Sequence, residues 1–222
     1  MGERATTATR QARARRVRRA GGALAALVLA AAATAAHGQP RAPLGREVTY
    51  FIADGLPGSA FRAQDRELAE WALRAWERAA NGKLRFTKAA SEEEASLRVH
   101  WVPAGDGLYG EMRPLRVSGR PGAAVFIRPD TDALGPDIAA LARADALLRD
   151  AIVYLTCVHE IGHALGLQHT DDYADIMYFF GFGGDVPRYF GRYRERLETR
   201  ADIATVSALS PGDLAQLRAL YP

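Results

Sequence analysis

The eleven residues from His159 to His169 (HEIGHALGLQH) constrain this chain more than any other stretch. Leu147, Leu148, Ala151, Ile152, Leu155, Val158, Ile161 and Leu165 recur at helical spacing around and ahead of them, which predicts a long helix over 144–167 with one buried side. On such a helix His159 and His163 stand one turn apart and project from the same face. Gly166 supplies a left-handed residue, with which a helix can end without a side-chain clash. Past that turn, His169 can approach the two helical imidazoles from outside, where a third ligand on the same helix could not converge with them. Two surface histidines and a capping one would not explain why three of the chain's five histidines fall in this short segment.

Three neutral imidazoles leave a divalent ion its full positive charge and one open position. That is the donor set of a catalytic zinc site, whereas structural sites take four protein ligands. One zinc on His159, His163 and His169 is therefore the expected cofactor. Zinc acidifies its bound water and polarises a carbonyl. Glu160, beside the first ligand, is placed to take the water's proton and deliver it to a leaving amine.

The rest of the chain reads as one mixed α/β (α+β) domain from 39 to 222. Glu47 to Ala53 alternates like a strand, and a helix is expected from about Ser59 to Ala80, stopped by Asn81-Gly82. Lys83–Lys88, Ala95–Val102 and Gly122–Arg128 are further strands, and 103–121, rich in Gly and Pro, reads as a loop with a short strand inside it. A last helix starts at Ser210, with Pro211 at its first position and Asp213 three residues after the cap. Acidic turns at Asp106-Gly107 and Asp130–Asp137 are calcium candidates with nothing beyond their charge behind them.

Residues 1–38 have the three parts of a secretory signal: seven arginines up to Arg19, an uncharged run from Ala20 to Ala36, and small residues before Gln39. A retained anchor competes with this, but 17 mostly alanine residues reach only the lower limit for a membrane span. Secretion or periplasmic export is expected, with no stable membrane insertion. This segment holds a net +6, which leaves −3 of the formal +3 for the remainder, so nothing asks for a nucleic-acid partner. The single cysteine, Cys157, excludes an internal disulfide and sits in the apolar helix as a buried, inert thiol.

The segment 159–169 resembles the metzincin clan of zinc peptidases, and more narrowly the matrixin family. Met177-Tyr178 follows His169 at the matrixin interval for the Met-turn, Thr170 stands where matrixins usually have serine, and Leu209–Leu214 through Leu220-Tyr221 resembles their last helix. The likeness implies a metzincin/matrixin-like catalytic domain: a twisted mixed sheet, two long helices and a C-terminal helix, acting as an endopeptidase on protein or peptide substrates. It implies Met177 beneath the metal, a substrate pocket near Tyr178 and Phe179, and Gly122–Arg128 as the edge strand that binds substrate through its backbone. A monomer is expected. Phe179, Phe180 and Phe182 stand after the Met-Tyr pair, where matrixins have proline, and Phe179 occupies the position of the extra tyrosine ligand of astacin-like enzymes. Residues 183–207 are an insert, the second zinc's ligand set is missing, and no cysteine precedes the domain to silence it. A catalytically silent zinc-binding module is the alternative, and an intact Glu160 argues against it.

Overall fold

The computed structural model describes residues 44–105 and 109–222; the expected signal at 1–38 and the acidic turn at Asp106-Gly107 lie outside the described residues. The chain begins with strand β1 (Glu47–Gly55), whose Val48 and Ile52 face the core at 1% and 4% exposure, as the alternation predicts. Helix α1 (Asp65–Ala79) follows, burying Leu68, Ala69, Ala72, Leu73 and Trp76. It starts six residues later than its spacing suggests, because Gly58 (φ +78°) and Ala60 (φ +57°) hold the preceding chain in left-handed turns. Asn81 and Gly82, at φ 47° and 79°, end it where expected.

Four strands then complete one sheet: β2 (Arg85–Lys88), β3 (Leu97–Trp101), β4 (Gly110–Val117) and β5 (Arg120–Ile127). The order is β2-β1-β3-β5-β4, all parallel except β4, which runs antiparallel to β5. The strand expected inside 103–121 is there and runs to eight residues, but Gly122–Arg128 is not the edge strand. β5 lies between β3 and β4, and its near-continuous buried run of Ala123, Ala124, Val125 and Ile127 is what a strand inside a sheet carries. The edge is β4, which tolerates Pro114 and the charges of Glu111, Arg113 and Arg116 because its outer side has no strand partner to hydrogen-bond. Ser118 and Gly119, at φ 50° and 78°, form the two-residue hairpin turn that joins β4 to β5.

The helix predicted over 144–167 forms over Ala146–Ala164, preceded by a shorter helix that the sequence did not mark. α2 (Pro136–Ala144) breaks at Asp145, which is extended at φ −131° and ψ 99°. The Asp145 carboxylate accepts from Leu147 N and Leu148 N, so it caps α3 (Ala146–Ala164). α3 crosses the centre of the molecule between α1, β4, β5 and α2, which explains why it is buried nearly all round. Trp76 of α1 donates to Val158 O at 3.0 Å, tying the two helices together. Cys157 is fully buried on α3, and burial pushes its thiol up, so it stays protonated and unreactive.

Residues 183–207 are folded: α4 (Val186–Arg194) packs on α3, and a 3-10 turn at Arg200–Ala204 reaches α1. The last helix, α5 (Pro211–Leu220), has the predicted capping box, with Asp213 N donating to Ser210 Oγ (3.0 Å) and Ser210 N to Asp213 Oδ2 (2.8 Å). Among the described residues no helix is long and apolar enough to cross a membrane.

Candidate metal centre

α3 ends as its glycine demands. Gly166 takes φ +101°, its N–H donates to His163 O, and Leu167 N donates to Gly162 O, so the chain reverses within one turn. That reversal carries His169 back over the face from which His159 and His163 project. The side-chain donor atoms of the three histidines lie within 4.8 Å of one another. His163 Nε2 and His169 Nε2 are 3.0 Å apart. Tetrahedral zinc with bonds of about 2.0–2.1 Å separates neighbouring ligand nitrogens by about 3.3 Å, so the cluster fits such an ion.

The tautomers fit as well. His159 Nδ1 meets Ile176 O at 2.7 Å, and His163 Nδ1 meets Leu167 O at 3.0 Å. A carbonyl only accepts, so both Nδ1 atoms carry protons and both Nε2 atoms turn a lone pair to the centre. Burial lowers the pKa of His159, opposed by its bond to Ile176 O, which favours the neutral imidazole a metal requires. Among the described residues this is the one His, Cys, Asp and Glu group placed to hold a metal ion. The calcium candidate at 130–137 is used otherwise: Asp130 caps a 3-10 turn at Thr131–Leu134, and Asp132 pairs with Arg143.

Met177 is fully buried, with its sulfur close to α3 at Gly162, between His159 and His163 in the chain. A Cβ on Gly162 would lie 2.6 Å from Met177 Sδ and 3.0 Å from Trp76 Cζ2, so only glycine lets the sulfur approach the helix between the two ligand positions. Thr170 N donates to Met177 O and Phe179 N to Thr170 O, which closes the loop from His169 to the Met-turn. Asp213 of α5 holds its backbone, accepting from Ile176 N (2.9 Å) and Met177 N (3.2 Å). Phe179 lies against His169, ring centroids 4.8 Å apart. Tyr178 is buried and donates its hydroxyl to Gly183 O at 2.8 Å, while Phe182 stands exposed beside both.

Glu160 is 4% exposed and borders the edge strand. A Cβ on Gly110, the first residue of β4, would sit 2.5 Å from Glu160 Oε1. Burial pushes the Glu160 carboxyl up to about 8, nearby Glu111 adds to this, and Arg128 opposes it. Arg128 is itself buried, 3.9 Å from Glu111, with Nε and Nη1 unpartnered among the described residues. A divalent cation beside Glu160 would pull its carboxyl back towards the ionised form.

The sequence singles out all three histidines, Glu160, Met177, Tyr178 and Phe179, and the fold brings them to one end of α3. It does not single out Gly110 and Glu111 at the start of β4, or Arg128 just after β5, because their nearness to Glu160 depends on how the sheet packs against α3. Gly162 lies inside the motif, where its absent side chain is the only clue.

The matrixin family model matches residues 137–182, from α2 through the residues after the Met-turn. This partial match supports a metzincin-type zinc metallopeptidase. No curated protein sequence matches the chain. Among solved structures, archaemetzincin from Methanopyrus kandleri is similar at 14% identity, covering 79% of this chain and 95% of that one, with a TM-score of 0.41.

Proposed function

We propose that this protein is an exported zinc endopeptidase that cuts extended protein or peptide substrates, with His159, His163 and His169 as zinc ligands and Glu160 as the general base. One observation carries the reading: the ligand nitrogens of His159, His163 and His169 lie within 4.8 Å of one another, and the buried Glu160 carboxylate on the same helix lies against Gly110 at the sheet edge. Zinc supplies a Lewis acid that polarises a carbonyl and acidifies water. Glu160 Oε1 takes the proton of the attacking water and hands it to the leaving amine. β4 pairs with β5 on one side only, so an extended peptide can add to its other edge through backbone hydrogen bonds, beginning at Gly110 beside Glu160. Phe179, against His169, forms the apolar wall that a substrate side chain meets. Tyr178, buried next to it in the chain, packs against Phe182, which also meets Phe179.

The three-part segment 1–38 supports export, to the periplasm or the medium, and the net −3 of the remainder supports a polypeptide rather than a nucleic acid as partner. The enzyme acts as a monomer in this reading. The test is hydrolysis of casein by wild type and Glu160→Ala, with zinc measured in both. Cleavage by wild type alone, with one zinc in each, is the expected result. Zinc in both without cleavage would turn the reading to a binding module, and zinc in neither would end it.

A further inference from the structure

Tyr189 lies on α4, beyond the segment that matches the matrixin model. It is 3% exposed, flanked by Phe180 (ring centroids 4.8 Å apart) and Phe190 (5.3 Å), with the Arg192 guanidinium 4.3 Å over its ring. Its single hydroxyl proton is shared between two successive carbonyls, Asp175 O at 2.9 Å and Ile176 O at 3.2 Å. The second of these is the oxygen to which His159 Nδ1 donates at 2.7 Å. One carbonyl therefore joins an imidazole of the metal centre to a helix otherwise remote from it. The same backbone is held on its N–H side by Asp213, at Ile176 N and Met177 N. α5 thus grips the amides of this loop while α4 grips its carbonyls.

We infer that Tyr189 is a positioning residue of the metal centre, orienting His159 through the shared Ile176 carbonyl and so strengthening the hold on zinc; this rests on the zinc centre proposed above. A carbonyl that fixes a ligand's Nδ1–H sets both the tautomer and the ring direction, and losing such an outer partner weakens metal binding by about 10- to 100-fold. Without the tyrosine hydroxyl the Ile176 carbonyl loses its hold from α4 and keeps only that of Asp213 on the amide side, so the direction of His159 is less firmly set. If the hydroxyl merely satisfies buried carbonyls, its loss lowers stability and leaves metal affinity alone.

The experiment compares the full chain with Tyr189→Phe and Tyr193→Phe. Tyr193 lies one helical turn along α4 and donates to Val206 O at 2.9 Å, away from the centre, so it is a matched hydroxyl deletion. Three quantities are measured: the zinc dissociation constant by chelator competition, the visible spectrum of the cobalt-substituted protein, and the melting temperature without metal. Tyr189→Phe should bind zinc at least about tenfold more weakly and shift the cobalt bands. Tyr193→Phe should lower the melting temperature at unchanged affinity. Unchanged affinity and spectrum in Tyr189→Phe, with zinc bound normally by wild type, would overturn this inference alone. Equal weakening in both variants would also overturn it, as general loosening of α4. Failure of the wild type to bind zinc would instead overturn the metal centre on which it rests.

Discussion

Without metal, the protein should lose stability as the pH rises between 4.5 and about 8, and Glu160→Gln should remove that loss. The sign follows from the direction of the shift. Burial raises the folded carboxyl above its ordinary value, so the folded state binds a proton that the unfolded state has released. Below 4.5 both states are protonated and Glu160 costs nothing. Through the interval the cost grows by about 1.4 kcal/mol per pH unit, and above about 8 it is constant. The full interval amounts to roughly 5 kcal/mol, a large share of the ~5–15 kcal/mol by which domains are stable. Glu160 is 4% exposed, so solvent screening does not remove this cost. His159, whose pKa is lowered, contributes stability that grows with pH, but equally in both proteins, so it cancels in the difference. The assay is urea unfolding of chelator-treated wild type and Glu160→Gln at about pH 5, 7 and 9. The variant's advantage should be near zero at the lowest pH and reach several kcal/mol at the highest. Parallel pH profiles would refute the argument that Glu160 ionises in a dry site, and saturating zinc should shrink the difference by favouring the carboxylate.

Asp65 is fully buried and paired with Arg149, itself 3% exposed, and it also accepts from Arg62 N at 2.8 Å. Asp65→Asn should therefore cost about 3–5 kcal/mol in chemical denaturation, since it strands a buried guanidinium; a loss within error of zero would show that water reaches the pair. Gly110→Ala should push the Glu160 carboxylate aside, because the new Cβ lies 2.5 Å from Oε1. A displacement on the order of 1 Å costs about 100-fold in rate, so kcat should fall steeply while the melting temperature moves little. Full activity would place Gly110 away from the reacting atoms.

The candidate metal centre was legible because its parts are local. A helical period, a glycine able to turn left-handed and three histidines at set intervals specify ligands within eleven residues, with no information from the rest of the chain. Asn81-Gly82 and the box from Ser210 to Asp213 were legible for the same reason: a helix end satisfies its orphan backbone groups with its own neighbours. The sheet was harder. β4 combines Glu111, Arg113, Pro114 and Arg116, a composition that forms a strand only because β5 lies alongside and its other side faces away. Alternation marks a strand with one buried face, but strand order depends on which strands meet across the sheet, and β5 accordingly lost its place at the edge.

What surrounds the histidines belongs to the same class. Tyr189 reaches Ile176 across 13 residues, Asp213 reaches the same loop across 37, and Gly110 touches Glu160 from another element altogether. No period or spacing along the chain encodes these meetings, because each depends on how separate elements pack. The residues that could bind a metal are thus written in one continuous stretch of sequence. The shell that aims His159, seats Met177 and borders Glu160 exists only once α4, α5 and the sheet edge have closed around α3.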